Sequence, residues 1–236
     1  MDTVAFAGWF TGTAVIEGSA GSQNLTNEVV DAIEAVRVVP VVTIDDARSA
    51  PALAVALVAG GLPVIEITLR TPAGIEAIRR VATEVPASVV GAGSVTSAAA
   101  AAAAIDAGAR FIVSPGLDEG IIVAAQARDV PVIPGIATAT ELLRATNLGV
   151  DVVKLFPAEV VGGPAMIAAL SAVWPDVRFM PTGGISPANA GEYLALRQVL
   201  AVGGSWMVPG ASVIAGDWAA ISAAAAATAK LVSEFS

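Results

Sequence analysis

The chain reads as an α/β protein, a single (β/α)8 barrel preceded by an N-terminal helix. Three observations predict it. From Val38 onward, short apolar runs alternate with helical stretches, the pattern of repeated βα units around a parallel sheet. Eight such units fit into roughly 200 residues, a length that favours closure into a barrel. No break in composition divides the 236 residues, and 56% of them are hydrophobic, enough for one large core. Periodicity alone does not show closure, so an open doubly wound sheet stands as the alternative.

Residues 1–24 lack the barrel pattern and are read as an N-terminal extension, packed or disordered, ahead of a barrel domain at 25–236. Asp2 stands where a secretory signal would carry positive charge, which argues against a leader there. Thr26, followed by Glu28 and an apolar rhythm through Val36, predicts a capped first helix. The strand candidates follow at 38–44, 63–69, 88–94, 110–114, 131–136, 151–156, 177–182 and 199–203. Helical stretches lie between them at 47–59, 72–84, 97–107, 119–127, 138–146, 163–173 and 187–196, with a last one at 217–235. Two alanine runs, 98–104 and 223–227, look like low complexity, but alanine has the best helix propensity and they are read as helices. Trp174, Trp206 and Trp218, with Met166 and Met180, are assigned to the core or an interface.

A formal charge of −9 argues against a nucleic-acid surface, which needs clustered basic residues. The ten arginines are scattered, and only Arg79 and Arg80 are adjacent. Gly, Pro or charge interrupts every apolar run before the roughly 20 residues needed to cross a bilayer, so no membrane partner is expected. Absence of cysteine excludes disulfides and is compatible with a reducing compartment, which makes the cytoplasm the expected location.

The residue types available restrict the chemistry. With no histidine and no cysteine, the usual zinc-water and Ser-His or Cys-His systems each lose a partner. Of two lysines, Lys230 falls in the C-terminal helical pattern, whereas Lys154 lies inside the apolar run Asp151-Val152-Val153-Lys154-Leu155-Phe156-Pro157. A lysine there must carry its ammonium to a partner or shed its proton, and a free amine is what Schiff-base chemistry requires. Its bland alternative is an ion pair with Glu66 or Glu159 that ties barrel layers together. Period two also places Glu66, Thr68 and Arg70 on one face of the second strand, with Ile65, Ile67 and Leu69 on the other. The polar set faces the lumen, with Arg70 about 13 Å beyond Glu66 and nearer the mouth. A structural Glu–Arg pair is the competing explanation.

Two glycine turns close consecutive strands near the chain's end, Thr182-Gly183-Gly184 and Gly203-Gly204-Ser205. Loops after strands seven and eight of such barrels recurrently bind phosphate through converging backbone N–H groups. Gly91-Ala92-Gly93-Ser94 and Ser114-Pro115-Gly116 supply small residues where the lumen needs room. Packing explains these as readily as substrate contact does.

Jointly these segments resemble the 2-keto-3-deoxy-6-phosphogluconate aldolase family. The likeness is carried by Val39-Pro40-Val41, Glu66-Ile67-Thr68-Leu69-Arg70, Gly91-Ala92-Gly93-Ser94-Val95, Ser114-Pro115-Gly116-Leu117, Ile133-Pro134-Gly135-Ile136, Lys154-Leu155-Phe156-Pro157-Ala158-Glu159, Pro181-Thr182-Gly183-Gly184-Ile185-Ser186-Pro187 and Gly203-Gly204-Ser205-Trp206. It runs in order from about Asn27 to the C-terminus. The resemblance implies a trimeric class I aldolase, without metal or other cofactor, that acts on a small phosphorylated 2-keto acid. It would cleave 2-keto-3-deoxy-6-phosphogluconate to pyruvate and glyceraldehyde 3-phosphate, with 4-hydroxy-2-oxoglutarate as a further candidate substrate. It implies Lys154 as imine former and Glu66 as the acid/base. Arg70, Ser94 and Thr182 would hold the carboxylate and pyruvate part, with Pro115 and Phe156 shaping the pocket. Gly183, Gly184, Gly204 and Ser205 would bind the phosphate. Ser94 stands where close relatives have threonine, which leaves the hydroxyl in place. Two alternatives are a phosphosugar isomerase or epimerase on the same barrel, and a non-catalytic trimeric assembly protein.

Overall fold

A computed structural model describes residues 20–235, with side chains described from Asn27 onward. Helix α1 (Ala20–Val36) leads directly into β1 (Val38–Val42). The alternation then continues through α2 (Ala50–Ala59), β2 (Val64–Thr68), α3 (Gly74–Glu84), β3 (Val89–Gly93), α4 (Ala98–Asp106), β4 (Ile112–Val113) and α5 (Glu119–Gln126). β5 (Val132–Ile133) and β6 (Gly135–Ile136) are two ends of one strand, followed by α6 (Ala139–Asn147), β7 (Val152–Leu155), α7 (Gly163–Ser171), β8 (Arg178–Phe179), α8 (Ala190–Leu194) and β9 (Val202–Gly204). α9 (Gly210–Ala215) and α10 (Trp218–Ser233) complete the described chain.

The sheet is all parallel and closes on itself. One arc runs β5-β4-β3-β2-β1-β9 and the other β6-β7-β8. The arcs meet at Pro134, whose ring has no N–H to give the ladder, although its carbonyl still accepts from Lys154 N at 2.9 Å. At the other seam the bridges Phe179 to Val199 and Thr182 to Gly203 join β8 to β9. All eight expected strands are present, so the open-sheet alternative fails.

Alternation along each strand divides the apolar residues into two layers. Outward side chains such as Ile65, Ile67, Val153, Leu155 and Phe179 pack against the helices. Inward ones, including Val39, Val64, Phe111, Val113, Ile133, Val152 and Met180, fill the lower lumen, which α1 plugs with Val29 and Ile33. The alanine-rich segments are ordinary helices. Ser97 caps α4 by accepting from Ala100 N, and Asp217 caps α10 by accepting from Ala220 N. α10 packs closely on the end of α2, where a β-carbon at Gly60 would meet Ser222 O at 2.6 Å. Trp174, Trp206, Trp218 and Met166 rest on the outer layer, and Met180 lies in the lumen.

Three local expectations need correction. α1 begins at Ala20, so Thr26 lies inside the helix and does not cap it. Glu28 is two residues beyond Thr26, whereas a capping box needs three, so the signal was incomplete. Residues 1–19 of the expected extension lie outside the described residues, and 20–24 already belong to α1. α8 starts at Ala190, not at 187, because Asn189 Oδ1 accepts from Ser186 N at 2.8 Å and holds the preceding segment as a turn. Finally, α9 was not anticipated, since six residues between Pro209 and a left-handed Gly216 are too few for a periodic signal.

Candidate active site

Counting around the ring, β2 and β7 are separated by four strand positions in either direction, so they stand opposite each other across the lumen. Glu66 is the central residue of β2 and Lys154 the third of β7, and both point inward above the apolar floor. Their side chains meet, with Lys154 Nζ 3.7 Å from Glu66 Oε1. Both are buried, at 4% and 0% exposure. Lys154 Nζ also lies 4.9 Å from the centre of the Phe156 ring, within cation–π range. Glu159, the other carboxylate considered for this lysine, instead accepts a hydrogen bond from Tyr193 Oη. Lys230 is exposed on α10, as expected.

The Lys154–Glu66 pair is not built like a structural tie. At 3.7 Å it is longer than a hydrogen bond, and neither carboxylate oxygen of Glu66 has a hydrogen-bond partner. Burying two charges is compensated only when close hydrogen bonds satisfy them. These two groups are held by packing and left free to engage something that enters.

Small neighbours make the space. Gly93, on the adjoining β3, has the Glu66 carboxylate where a β-carbon would be. Gly135, paired with Lys154 across β6 and β7, leaves no room for one because the Pro115 backbone crosses above it. Pro115 therefore reaches the neighbourhood of the lysine from the segment after β4. Thr182, 8% exposed, similarly occupies the position a side chain at Gly203 would need.

At the C-terminal ends of the strands, beyond Lys154 and Glu66 and lined by neither, lies a cavity of about 490 Å³. Arg70 lines one side, and Gly183, Gly184, Gly204 and Ser205 line another, with Phe156 and Thr182 between. The φ angles of Gly183 and Gly184 are 99° and 81°, a conformation that L side chains rarely adopt. Arg70 does not extend β2 as the alternation implied. The strand ends at Thr68, and Leu69 and Arg70 turn away, anchored where Thr71 Oγ1 donates to Ile44 O. The 13 Å extended spacing from Glu66 therefore does not apply. Arg70 Nε donates to Ser94 Oγ at 3.0 Å, which brings Ser94 to the site through the guanidinium. Ser94 itself has φ 55°, unusual for a residue with a β-carbon.

Thr43, Val208, Pro209 and Gly210 also line the cavity and were not among the expected residues. Thr43 continues the inward parity of Val39 and Val41, and its Oγ1 lies 3.0 Å from Thr68 Oγ1, so alternation on the first strand could have found it. The segment from Val208 into α9 carries no such signal. A separate depression of about 340 Å³, beside Val29, Arg110, Arg128 and Pro131, lies at the opposite end of the strands. Among the described residues no group of three or more His, Cys, Asp or Glu could hold a metal ion, and no helix is long and apolar enough to cross a membrane.

Residues 29–224 match the family model for KDPG and KHG aldolases. The chain belongs to that family. It is 46% identical over 204 residues to the 2-dehydro-3-deoxy-phosphogluconate aldolase of Treponema pallidum, covering 86% of this chain and 97% of that protein. It is 48% identical over 181 residues to the KHG/KDPG aldolase of Escherichia coli K12, covering 77% of this chain and 85% of that one. Among solved structures, the KDPG aldolase of Legionella pneumophila aligns with a TM-score of 0.82 and 40% identity, covering 85% of this chain and 97% of its own. That crystal contains pyruvate captured as a covalent carbinolamine. Membership of the KDPG and KHG aldolase family makes this chain a carbon–carbon lyase of the class I aldolase type.

Proposed function

We propose that the barrel domain, residues 25–236, cleaves 2-keto-3-deoxy-6-phosphogluconate to pyruvate and glyceraldehyde 3-phosphate through a Schiff base on Lys154. The observation that carries this reading is the buried lysine facing a carboxylate with no hydrogen bonds, beneath a cavity lined by Arg70 and two glycine turns. A carbinolamine with pyruvate in the Legionella relative is the intermediate this geometry would produce.

In the proposed reaction the free amine of Lys154 adds to the 2-keto carbon. Glu66, 3.7 Å from the amine, donates the proton that lets water leave the carbinolamine. The resulting iminium accepts the electron pair of the C3–C4 bond as that bond breaks, while Glu66, now a carboxylate, takes the proton of the C4 hydroxyl and glyceraldehyde 3-phosphate leaves. Glu66 then protonates C3 of the enamine, and water returns to free pyruvate and the lysine. Arg70, with Ser94 bonded to its Nε, takes the carboxylate. Gly183, Gly184, Gly204 and Ser205 take the phosphate, so the two anionic ends of the substrate orient its carbonyl toward Lys154. Thr182, Pro115 and Phe156 shape the walls around the pyruvate part.

The name of the Escherichia coli relative supports a second substrate, 4-hydroxy-2-oxoglutarate, whose cleavage uses the same lysine but no phosphate contact. Assembly as a homotrimer in the cytoplasm is part of the proposal, and exposed Val160, Val173 and Ile214 supply apolar surface for such a contact. Sedimentation tests the assembly. For the chemistry, incubation with pyruvate and borohydride followed by peptide mapping should place a reduced adduct on Lys154. An adduct on Lys230, or none, overturns the assignment.

A further inference from the structure

The carboxylate of Glu159 stands directly behind the turn assigned to the phosphate, where a negative charge would be expected to hinder an anion. Its surroundings suggest another purpose. Glu159 N donates to Gly183 O at 3.1 Å, and Ala158 N donates to Thr182 O at 2.9 Å, so the segment after β7 is stitched to the segment after β8. The Glu159 side chain then lies across Gly184, where a β-carbon would come within 2.6 Å of Glu159 Cβ. Its Oε1 accepts from Tyr193 Oη on α8. The Tyr193 ring is fully buried, and its hydroxyl reaches Glu159 beside Gly163, where a β-carbon would lie 3.1 Å from the oxygen. Burial, reinforced by the Glu159 hydrogen bond, raises the phenol well above its ordinary range, so Tyr193 stays the donor.

We infer that Glu159 and Tyr193 are positioning residues that hold the Gly183–Gly184 turn in its anion-binding shape, and so set affinity for the phosphorylated end of the substrate. The physical reason is entropic. Two consecutive glycines with φ of 99° and 81° have wide conformational freedom when unsupported. A turn that must be ordered when the anion arrives loses affinity by the cost of ordering it. Asn189 secures the far side, with Nδ2 donating to Gly184 O at 3.1 Å, and the Glu159–Tyr193 pair secures the near side.

This inference rests on the aldolase reading, and steady-state kinetics on two substrates separates the two. Tyr193→Phe and Glu159→Ala should each raise KM for 2-keto-3-deoxy-6-phosphogluconate roughly tenfold, the loss expected for one hydrogen bond to a charged acceptor. Both should leave kcat within about twofold, and leave the constants for unphosphorylated 4-hydroxy-2-oxoglutarate unchanged. Glu159→Gln keeps an acceptor oxygen without the charge and should keep the parent KM. Calorimetric titration with inorganic phosphate reads the same weakening without turnover. Equal losses on both substrates would reduce the pair to a general structural role. A lower KM in Glu159→Ala or Glu159→Gln would mean that the carboxylate acts by repulsion, and either result overturns the inference. Glu159 is exposed, so Glu159→Ala tests the idea even if Tyr193→Phe fails to fold. Failure of borohydride trapping at Lys154 would instead strike the aldolase reading.

Discussion

The lower and upper halves of one lumen are built from the same strands and differ in every physical respect. On β2 the inward residue changes from Val64 to Glu66, and on β7 from Val152 to Lys154, a step of about 7 Å along each strand. Below, Phe111, Val113, Ile133 and Met180 interlock under α1, at 0–1% exposure. Above, the carboxyl group of Glu66 lacks any hydrogen bond and Lys154 Nζ sits 3.7 Å from it. One layer stabilises the barrel, and the next is left incompletely satisfied because the floor can bear the cost. On the proposed function, stability and chemistry lie a single step of the pleat apart, so substitutions two residues apart should have different consequences.

The largest effects should come from the upper layer. Lys154→Ala should abolish turnover and pyruvate trapping together. Glu66→Gln should lower kcat by about 10²–10⁴-fold while imine formation remains slow but detectable by borohydride capture. In the lower layer Phe111→Ala should cost about 3–5 kcal/mol, read as a shift of the urea midpoint. If the comparison holds, kcat of the folded fraction changes little.

A pair of glycines on β3 gives the sharpest contrast. Gly91 faces the Phe111 ring and Gly93 faces the Glu66 carboxylate, and both lack room for a methyl group. Gly91→Ala should overpack the floor and cost about 1–3 kcal/mol of stability. Gly93→Ala should displace Glu66 and lower kcat more than tenfold, with a smaller shift in the unfolding midpoint. Equal loss of stability in both variants would break the proposed division. The smallest effect is expected at the mouth, where Arg70→Lys loses the planar fork that holds Ser94 Oγ at 3.0 Å. There KM should rise by roughly tenfold or less, with pyruvate trapping on Lys154 intact.

Much of this division was legible in the residues. Apolar runs of strand length placed all eight strands, although their ends moved by one to three residues, as at 110–114, where only Ile112 and Val113 form the strand. Parity alone put Glu66 and Lys154 inward, and the glycine turns stood out by their order in the chain. The turn after Thr68, and not the strand alternation, brings Arg70 to the cavity wall. Thr43 was overlooked although it obeys the same parity, and Val208, Pro209 and Gly210 had no periodic mark to announce them.

By itself the amino-acid order determined which residues face the lumen, because a strand's period of two is a local property of its backbone. It also removed the usual zinc-water, Ser-His and Cys-His systems by leaving histidine and cysteine out. Only the closed ring decided that β2 stands opposite β7, that their side chains meet at 3.7 Å, and that Glu159 belongs to Tyr193 and not to Lys154. Those relations join residues 34 to 88 positions apart in the chain, and no local pattern reaches so far. They exist because eight strands must share one circumference.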